Sequence, residues 1–398
     1  MSELKLLTRN LMIILFGFSG LVVVLHPYSA IAQTEATESL AIPENDRLLP
    51  PRDLERELSP LEIKRIQTEI ESLEIEANEQ LARGQQERAF ELWFRQLRLY
   101  RAIDLRAEIT ALGRVGEIAW QTNRKEELKV ITERLNELYT ELTTADNLTT
   151  EFLTTLGVSY QQVRNLDNAI AIYLTLLDRA RQTNSLEQKY LEKLGELYLD
   201  KFDYPQAAIV YEELLDLNDN DLLRLENYLL QLSKIYNYTK ETDRAITVKE
   251  QLLDYYRAQG NTEPIVDILI ALGDDYRALG DVKLAIQTYQ EAVIFGQLLQ
   301  QLASISEALT KLGNLYQEQE QYSSAIQTYN KLLDVEMRAY NSYGVMDSYD
   351  RLGKVYFILE DYERALSVFT EGLKVAQSLD LRVSYFTDLI NKVKAKNS

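Results

Sequence analysis

The chain has 398 residues, with 62 acidic and 43 basic side chains and a formal net charge of −19. This negative charge argues against nucleic acid as a partner, because an acidic surface repels a polyanion. The sequence has no cysteine and only one histidine, His26. It therefore excludes disulfides, Cys–His nucleophile pairs and zinc sites built on cysteine or histidine.

The N-terminus has the three parts of a secretory signal. Lys5 and Arg9 precede an apolar run over 11–25, and a small-residue Ala-Ile-Ala stretch follows it. This pattern predicts a signal peptide over 1–32, cleaved before Gln33, and hence export to a periplasm or an equivalent lumen. The alternative is an uncleaved anchor, although the apolar run is shorter than the roughly 20 residues that a bilayer span needs.

Proline marks the next boundary. Five of the seven prolines fall within the first 60 residues, which predicts a disordered Pro-containing linker over 33–60. The rest of the chain is nearly free of helix breakers, and hydrophobic residues make up 46 % of the sequence. The composition therefore favours an all-α fold with a continuous core.

A Leu-Gly-x-x-Tyr pattern recurs along the second part of the chain. Its leucines are Leu156, Leu194, Leu272, Leu312 and Leu352, and Leu232 begins the same pattern with Ser233 in place of glycine. Alanine stands thirteen residues after each leucine, at Ala169, Ala207, Ala245, Ala285, Ala325 and Ala365. An aromatic residue stands seventeen after it in five units, at Tyr173, Tyr211, Tyr289, Tyr329 and Phe369, and Lys249 takes that place in the sixth.

These residues resemble the tetratricopeptide repeat family, in which small residues let two antiparallel helices approach and aromatic rings fill the remaining space. The period of 38–41 residues exceeds the usual 34. The resemblance implies a right-handed superhelical α-solenoid of about eight helix pairs. We predict two degenerate units over 61–145, six clear units over 146–379 and a C-terminal capping helix over 380–398.

In that family a concave groove, lined mainly by the first helix of each pair, binds protein or peptide partners. The family offsets place ten acids there, Glu151, Glu192, Glu196, Asp200, Asp267, Asp274, Glu307, Glu318, Asp347 and Asp350. They also place four bases there, Lys189, Lys234, Arg277 and Lys354. The resemblance thus implies an acidic groove and a basic or metal-bearing partner, with membrane contact only through that partner. The oligomeric state stays open.

A divalent cation is a second hypothesis for this groove. Glu192, Glu196 and Asp200 are spaced i, i+4, i+8, which stacks three carboxylates along one helix face. Either water screens their repulsion, or a basic partner or a hard cation such as Mn²⁺ or Ca²⁺ neutralises it. The acidic run over 216–221 begins like a calcium loop but lacks its glycine and its final glutamate, so it predicts a turn that caps the next helix.

Three classes of function follow. The first is a non-catalytic exported scaffold that binds proteins during assembly of a complex, with no organic cofactor. The second is an assembly factor that also carries a divalent metal. The third, a carboxylate-based hydrolase, is disfavoured because stacked helix pairs supply no deep pocket. Signal, repeat number, acidity and tyrosine content resemble the cyanobacterial processing-associated tetratricopeptide proteins, a family of photosystem II assembly factors. That resemblance implies binding of the reaction-centre precursor's C-terminal region and delivery of Mn²⁺.

Overall fold

The structure is a computed structural model that describes residues 46–49, 56–145, 147–183, 186–217 and 221–397. The predicted signal peptide lies outside these residues. The described residues contain helices and no strand, which confirms the all-α prediction. Their bounds are α1 Pro60–Ala82, α2 Gln86–Ile103, α3 Leu105–Gln121, α4 Lys125–Thr144, α5 Thr150–Gln162, α6 Leu166–Thr183, α7 Glu187–Asp200, α8 Tyr204–Asp216, α9 Leu222–Thr239, α10 Thr242–Gln259, α11 Ile265–Ala278, α12 Val282–Leu299, α13 Leu302–Glu318, α14 Tyr322–Arg338, α15 Ser342–Ile358, α16 Tyr362–Leu379 and α17 Val383–Asn397.

The helices alternate in chain order between a first helix of each repeat, here called A, and a second helix, called B. The odd-numbered helices up to α15 are A helices, the even-numbered ones are B helices, and α17 follows the last pair. Contacts between Cα atoms divide the chain into two units. Unit 1 contains α1–α4 and residues 158–164, whereas unit 2 contains residues 149–157 and all helices from α6 onward. Within each unit, every helix packs on the next one along the chain, as in an α-solenoid.

The recurring small and aromatic residues hold the A and B helices of each pair together. A β-carbon built on Gly195 or Gly313 would meet the ring that stands sixteen residues later, Tyr211 or Tyr329, at 2.9 and 2.4 Å. The repeat alanines are likewise inaccessible to solvent. Glycine is therefore required at this position because the ring occupies the space of a side chain. Tyrosine fills ten of the positions that lie four or seventeen residues after a repeat leucine. Nine of these tyrosines are buried, and Tyr276 is half-buried.

In the clear repeats, a left-handed residue follows each A helix eight positions after the repeat leucine, and the repeat pattern does not predict it. In five of the six clear repeats this residue is not glycine; Phe202 and Glu320 have φ of 60° and 57°. The next backbone N–H donates to the carbonyl of the repeat tyrosine, for example from Gln321 to Tyr316 at 2.8 Å. This hydrogen bond satisfies a carbonyl at the helix end and reverses the chain into the B helix.

Acidic caps begin several B helices. Asp281 and Asp361 accept hydrogen bonds from backbone N–H groups three residues ahead, at 3.1 Å in both cases. Asp243 also lies near an A-to-B turn but does not cap a helix, because Glu241 takes the cap position of α10. Asp243 stands two residues later, inside the first turn of the helix.

Unit 1 has a charged centre that its degenerate repeat pattern does not predict. The Glu108 side chain is buried and accepts from Arg101 Nε at 3.0 Å and from Arg134 Nε at 2.9 Å. Burial alone lowers the pKa of Arg134, but its bonds to Glu108 outweigh burial and raise that pKa above its ordinary value. The carboxylate thus links α2, α3 and α4 through charge-assisted hydrogen bonds.

Part of the predicted linker packs on unit 1. Residues 46–49 form a turn in which Leu49 N–H donates to the Asp46 carbonyl at 3.1 Å. The Asp46 carboxylate is buried and lies 3.4 Å from Arg95 Nε on α2. An ion pair with α2 thus holds these four residues of the predicted linker. The disorder expected for the linker over 33–60 stays a prediction.

Candidate functional site

The predicted groove residues of the clear repeats all lie on A helices. We call their common surface in unit 2 the A-helix face; it is formed by α7, α9, α11, α13 and α15, with the start of α5. Most of the predicted side chains are exposed or half-buried there, in contrast to the repeat leucines, which are buried. Asp350 is the exception, because its side chain is also buried.

Neighbouring A helices are joined by polar contacts across this face. Asp274 of α11 accepts from Lys311 Nζ of α13 at 2.9 Å and from the hydroxyl of Tyr289 at 2.6 Å. Arg277 Nη2 lies 2.6 Å from Glu318 Oε1. The two contacts between A helices join residues 37 and 41 positions apart in the sequence. Much of the predicted acidic surface therefore holds adjacent repeats together.

The contacts with Asp274 shift the pKa values of Tyr289 and Lys311. Burial raises the pKa of Tyr289, and its hydrogen bond to Asp274 raises it further, since both favour the neutral phenol. Burial lowers the pKa of Lys311, but the bond to Asp274 outweighs it, so the net shift is upward. At neutral pH, Tyr289 is therefore a neutral hydroxyl and Lys311 a protonated amine.

A polar cleft of about 400 Å³ opens on the face between α13, α15 and the start of α17. Three of its acids and one of its bases belong to the predicted groove set: Glu318, Asp347, Asp350 and Lys354. The other lining residues are Asn314, Gln317, Arg351 and Arg382. The structure thus brings four of the predicted residues into one site, which we call the α13–α17 cleft, and spreads the others along the face.

Asp350 organises the floor of this cleft. Its Oδ2 accepts from Lys354 Nζ at 2.9 Å and Arg382 Nη2 at 3.1 Å, and its Oδ1 accepts from the Tyr385 hydroxyl at 2.9 Å. The Arg382 guanidinium lies over the Tyr385 ring, 4.4 Å from its centre. Four charge-assisted contacts fix these side chains before any partner arrives, which lowers the entropy cost of binding.

The family offsets missed three bases that lie near the groove acids. Lys311 and Arg351 each precede a repeat leucine, an offset outside the family rule, and Arg382 follows the last repeat. Within the α13–α17 cleft, three acidic and three basic side chains balance. The cleft itself is therefore not acidic, because Lys354 and Arg382 pair with Asp350 and Arg382 also pairs with Asp347. The exposed side chains of Glu196 and Glu307 remain on the face outside it.

The carboxylate stripe on α7 does not form a metal cluster. Glu192 accepts from the hydroxyl of Tyr228, and Glu196 lies 2.6 Å from Lys193 Nζ. Across the described ranges, no three acidic or histidine side chains are grouped to hold a metal ion. Asp221 in the calcium-loop-like run caps α9, accepting from Leu223 N–H at 3.1 Å, as predicted. The divalent cation stays a prediction without structural support in the described residues.

Two segments of the chain match family models described as tetratricopeptide repeat, one over residues 154–221 and the other over 304–378. The resemblance inferred from the repeat pattern is supported in both segments. Together they span less than half of the chain. Because this repeat is a protein-interaction fold, the matches support a scaffold that binds proteins.

Several solved structures are similar in fold. One is a Signal Transduction ATPase with Numerous Domains protein with a tetratricopeptide repeat sensor from Pyrococcus horikoshii (15 % identity, 77 % of this chain, 50 % of that chain, TM-score 0.43). Others are aspartyl phosphate phosphatase F from Bacillus subtilis (15 %, 70 %, 78 %, 0.40) and BtubC from P. vanneervenii (19 %, 54 %, 92 %, 0.38). At these identities the likeness concerns the helical fold alone. No curated protein matches the sequence significantly.

No helix, over the ranges that the structure describes, combines the length and apolar character needed to cross a bilayer.

Proposed function

We propose that the chain is an exported, non-catalytic scaffold that holds a protein partner against the A-helix face of unit 2 during assembly of a complex. The observation that carries the proposal is the α13–α17 cleft, in which charged side chains converge on the face where tetratricopeptide proteins bind their ligands. The cleft offers both hydrogen-bond donors and acceptors, which suits the polar backbone and charged side chains of a peptide.

The chemistry of the partner follows from the groups that stay exposed. The chain carries a net charge of −19, and the side chains of Glu307 and Glu318 are about half exposed. A segment rich in lysine or arginine is favoured along the face, since long-range attraction speeds its association. Inside the cleft, where charges balance, recognition rests on hydrogen-bond geometry.

Charge reversal on the face tests the proposal. Partners are captured with the mature protein from the exported compartment of the source cells and identified, and the capture is repeated with Asp267→Lys/Glu307→Lys. The expected result is loss of the basic partners from this variant. As a matched control, Asp178→Lys/Asp334→Lys makes the same charge change on B helices. Equal loss from both variants would contradict a site on the A-helix face.

Two alternatives stay open as proposals. The likeness to photosystem II assembly factors motivates a Mn²⁺-carrying scaffold that binds a reaction-centre precursor. The exposed acids of the A-helix face are its candidate ligands. Calorimetric titration with Mn²⁺ tests it, and saturable binding that is lost in Glu192→Gln/Glu196→Gln/Asp200→Asn would support it. A carboxylate-based hydrolase is not favoured, since the acids of the cleft are neutralised by bases.

Export is proposed from the N-terminal pattern alone. Sequencing of the mature protein isolated from its cells tests it, and a start at Gln33 is expected.

A further inference from the structure

One B helix is shorter than all the others in the clear repeats. Each of these helices begins ten residues after the repeat leucine, and five of them end 26 or 27 residues after it. Helix α8 ends at Asp216, only 22 residues after Leu194. It therefore lacks the last helical turn that its counterparts have.

The missing turn carries a buried position in the other repeats. Twenty-four residues after the leucine stand Ala180, Tyr256, Gly296, Glu336 and Ala376, all of which are buried. In this repeat the equivalent residue, 218, lies outside the described part of the chain. Helix α8 ends before this position.

A cavity of about 820 Å³ lies beside the end of α8, between α8 and α10 and over the first half of α9. Its floor is formed by Leu222, Leu225 and Leu229, whose spacing places them on one face of α9. Leu215 and the ring of Tyr255 form its walls. Since a ligand pocket typically measures about 300–1,000 Å³, this space admits several large side chains.

The rim of the cavity is acidic. Glu212 and Asp216 stand on the α8 side and Asp254 on the α10 side, and no lysine or arginine lines the cavity. The Asp254 carboxylate is 82 % exposed, and its one ion pair, with Arg257, spans 3.8 Å. At such exposure this pair compensates the charge only weakly. An apolar floor within a negative rim matches a ligand that is apolar at its centre and positive at its edges.

We propose that this cavity, the α8–α10 cavity, docks a short amphipathic helix of a partner protein that presents leucine-like side chains flanked by lysine or arginine. The apolar side chains enter between α8 and α10 and cover the leucines of α9. The basic side chains lie against Asp216 and Asp254, which fixes the orientation of the helix. The site lies at the ends of B helices and is separate from the A-helix face, so it adds a second contact to the scaffold.

A designed peptide tests the proposal on the full chain. The probe is a fluorescein-labelled helical peptide of leucine and lysine, with leucines at i, i+3, i+4 and i+7, and its binding is measured by fluorescence anisotropy. Ala258→Trp fills the cavity from its exposed wall on α10, and Asp216→Lys/Asp254→Lys reverses its rim. We expect each variant to weaken binding about tenfold or more, because each removes one half of the recognition.

The controls use equivalent positions elsewhere in the chain. Asp178→Lys/Asp334→Lys changes the same repeat position, 22 residues after the leucine, on B helices of full length, and should leave the affinity unchanged. A peptide with serine in place of leucine should bind at least about tenfold more weakly than the probe. Circular dichroism establishes that each variant is folded.

Three outcomes would overturn the proposal. Equal weakening by both double variants would mean that the acidic chain attracts the peptide without a site. If Ala258→Trp binds the peptide with wild-type affinity, the leucines of the peptide do not enter this cavity. A wild-type dimer in analytical ultracentrifugation that Ala258→Trp dissociates would identify the occupant as a second copy of this chain.

Discussion

A β-carbon at Gly273 would stand 2.5 Å from Cε1 of Tyr289, so the tyrosine ring fills the space that any other side chain would need. The same ring donates its hydroxyl to Asp274, which in turn accepts from Lys311 of the next repeat. The close packing of α11 on α12 thus positions Asp274 for its contact with Lys311 of the next repeat.

Gly273→Ala should destabilise unit 2, because the ring of Tyr289 must move out of a close-packed position. We expect a loss of about 1–3 kcal/mol in the free energy of unfolding, measured by chemical denaturation. In a Tyr289→Ala background the same substitution should cost less, since the obstructing ring is absent. Equal costs in the two backgrounds would show that the ring is not the obstacle.

The repeat that begins at Leu232 departs from the pattern at two positions that should be energetically coupled. Lys249 stands where other repeats have an aromatic ring, and Ser233 stands where they have glycine. The Lys249 side chain is buried, with Nζ 2.9 Å from Asn237 Oδ1 and in contact with Asp275. Lys249→Tyr alone should destabilise the protein, because the Ser233 side chain occupies the place of the ring.

Adding Ser233→Gly should recover part of that loss. We expect a coupling free energy of about 0.5–3 kcal/mol between the two substitutions in a double-mutant cycle of denaturation experiments. Additive effects would mean that the two positions do not share one packing site.

Removal of the buried carboxylate in unit 1 should be costly. Glu108→Leu leaves Arg101 and Arg134 without their common partner in a buried site, for which we expect a loss of about 3–5 kcal/mol in the free energy of unfolding. Glu137→Leu is the control, because Glu137 also contacts Arg134 but is half exposed and should contribute less than about 1 kcal/mol. If the two variants lose similar amounts of unfolding free energy, the burial of Glu108 does not account for its contribution.

Stability should fall at alkaline pH through the repeat tyrosines. Burial, reinforced by the charge of Glu196, raises the pKa of both Tyr173 and Tyr211 to about 12. Since an unfolded tyrosine has a pKa of about 10, their stabilising effect is complete below about pH 10. It is lost as the pH rises from there towards about 12, because only the unfolded state then releases these protons readily.

Tyr173→Phe/Tyr211→Phe removes both ionisations. After correction for any difference in stability at neutral pH, the variant should therefore unfold at a higher pH than the wild type. Circular dichroism during a base titration gives the midpoint. Tyr340→Phe, at a side chain that is 95 % exposed, should leave the midpoint unchanged. An unchanged midpoint in the double variant would contradict the assignment.

The periodic part of the molecule could be predicted because its causes are local and repeated. Small residues at Gly313 and Ala325, with a ring at Tyr329, give one register for a helix pair, and four other repeats have the same set. The left-handed turn at Phe202 or Glu320 could not be predicted in this way. Its φ is imposed by the chain reversal between two packed helices, not by a preference of those residues.

The sequence by itself determined the helix pairs, their register and the positions of the buried rings, because side-chain size alternates with a fixed period and each repeat can be covered only by its neighbour. Only the tertiary structure decided which charges remain available. Asp274 meets Lys311, and Asp350 meets Arg382, across 37 and 32 residues, and no local pattern encodes these distances. The same holds for the α8–α10 cavity, since its lining residues come from three different helices.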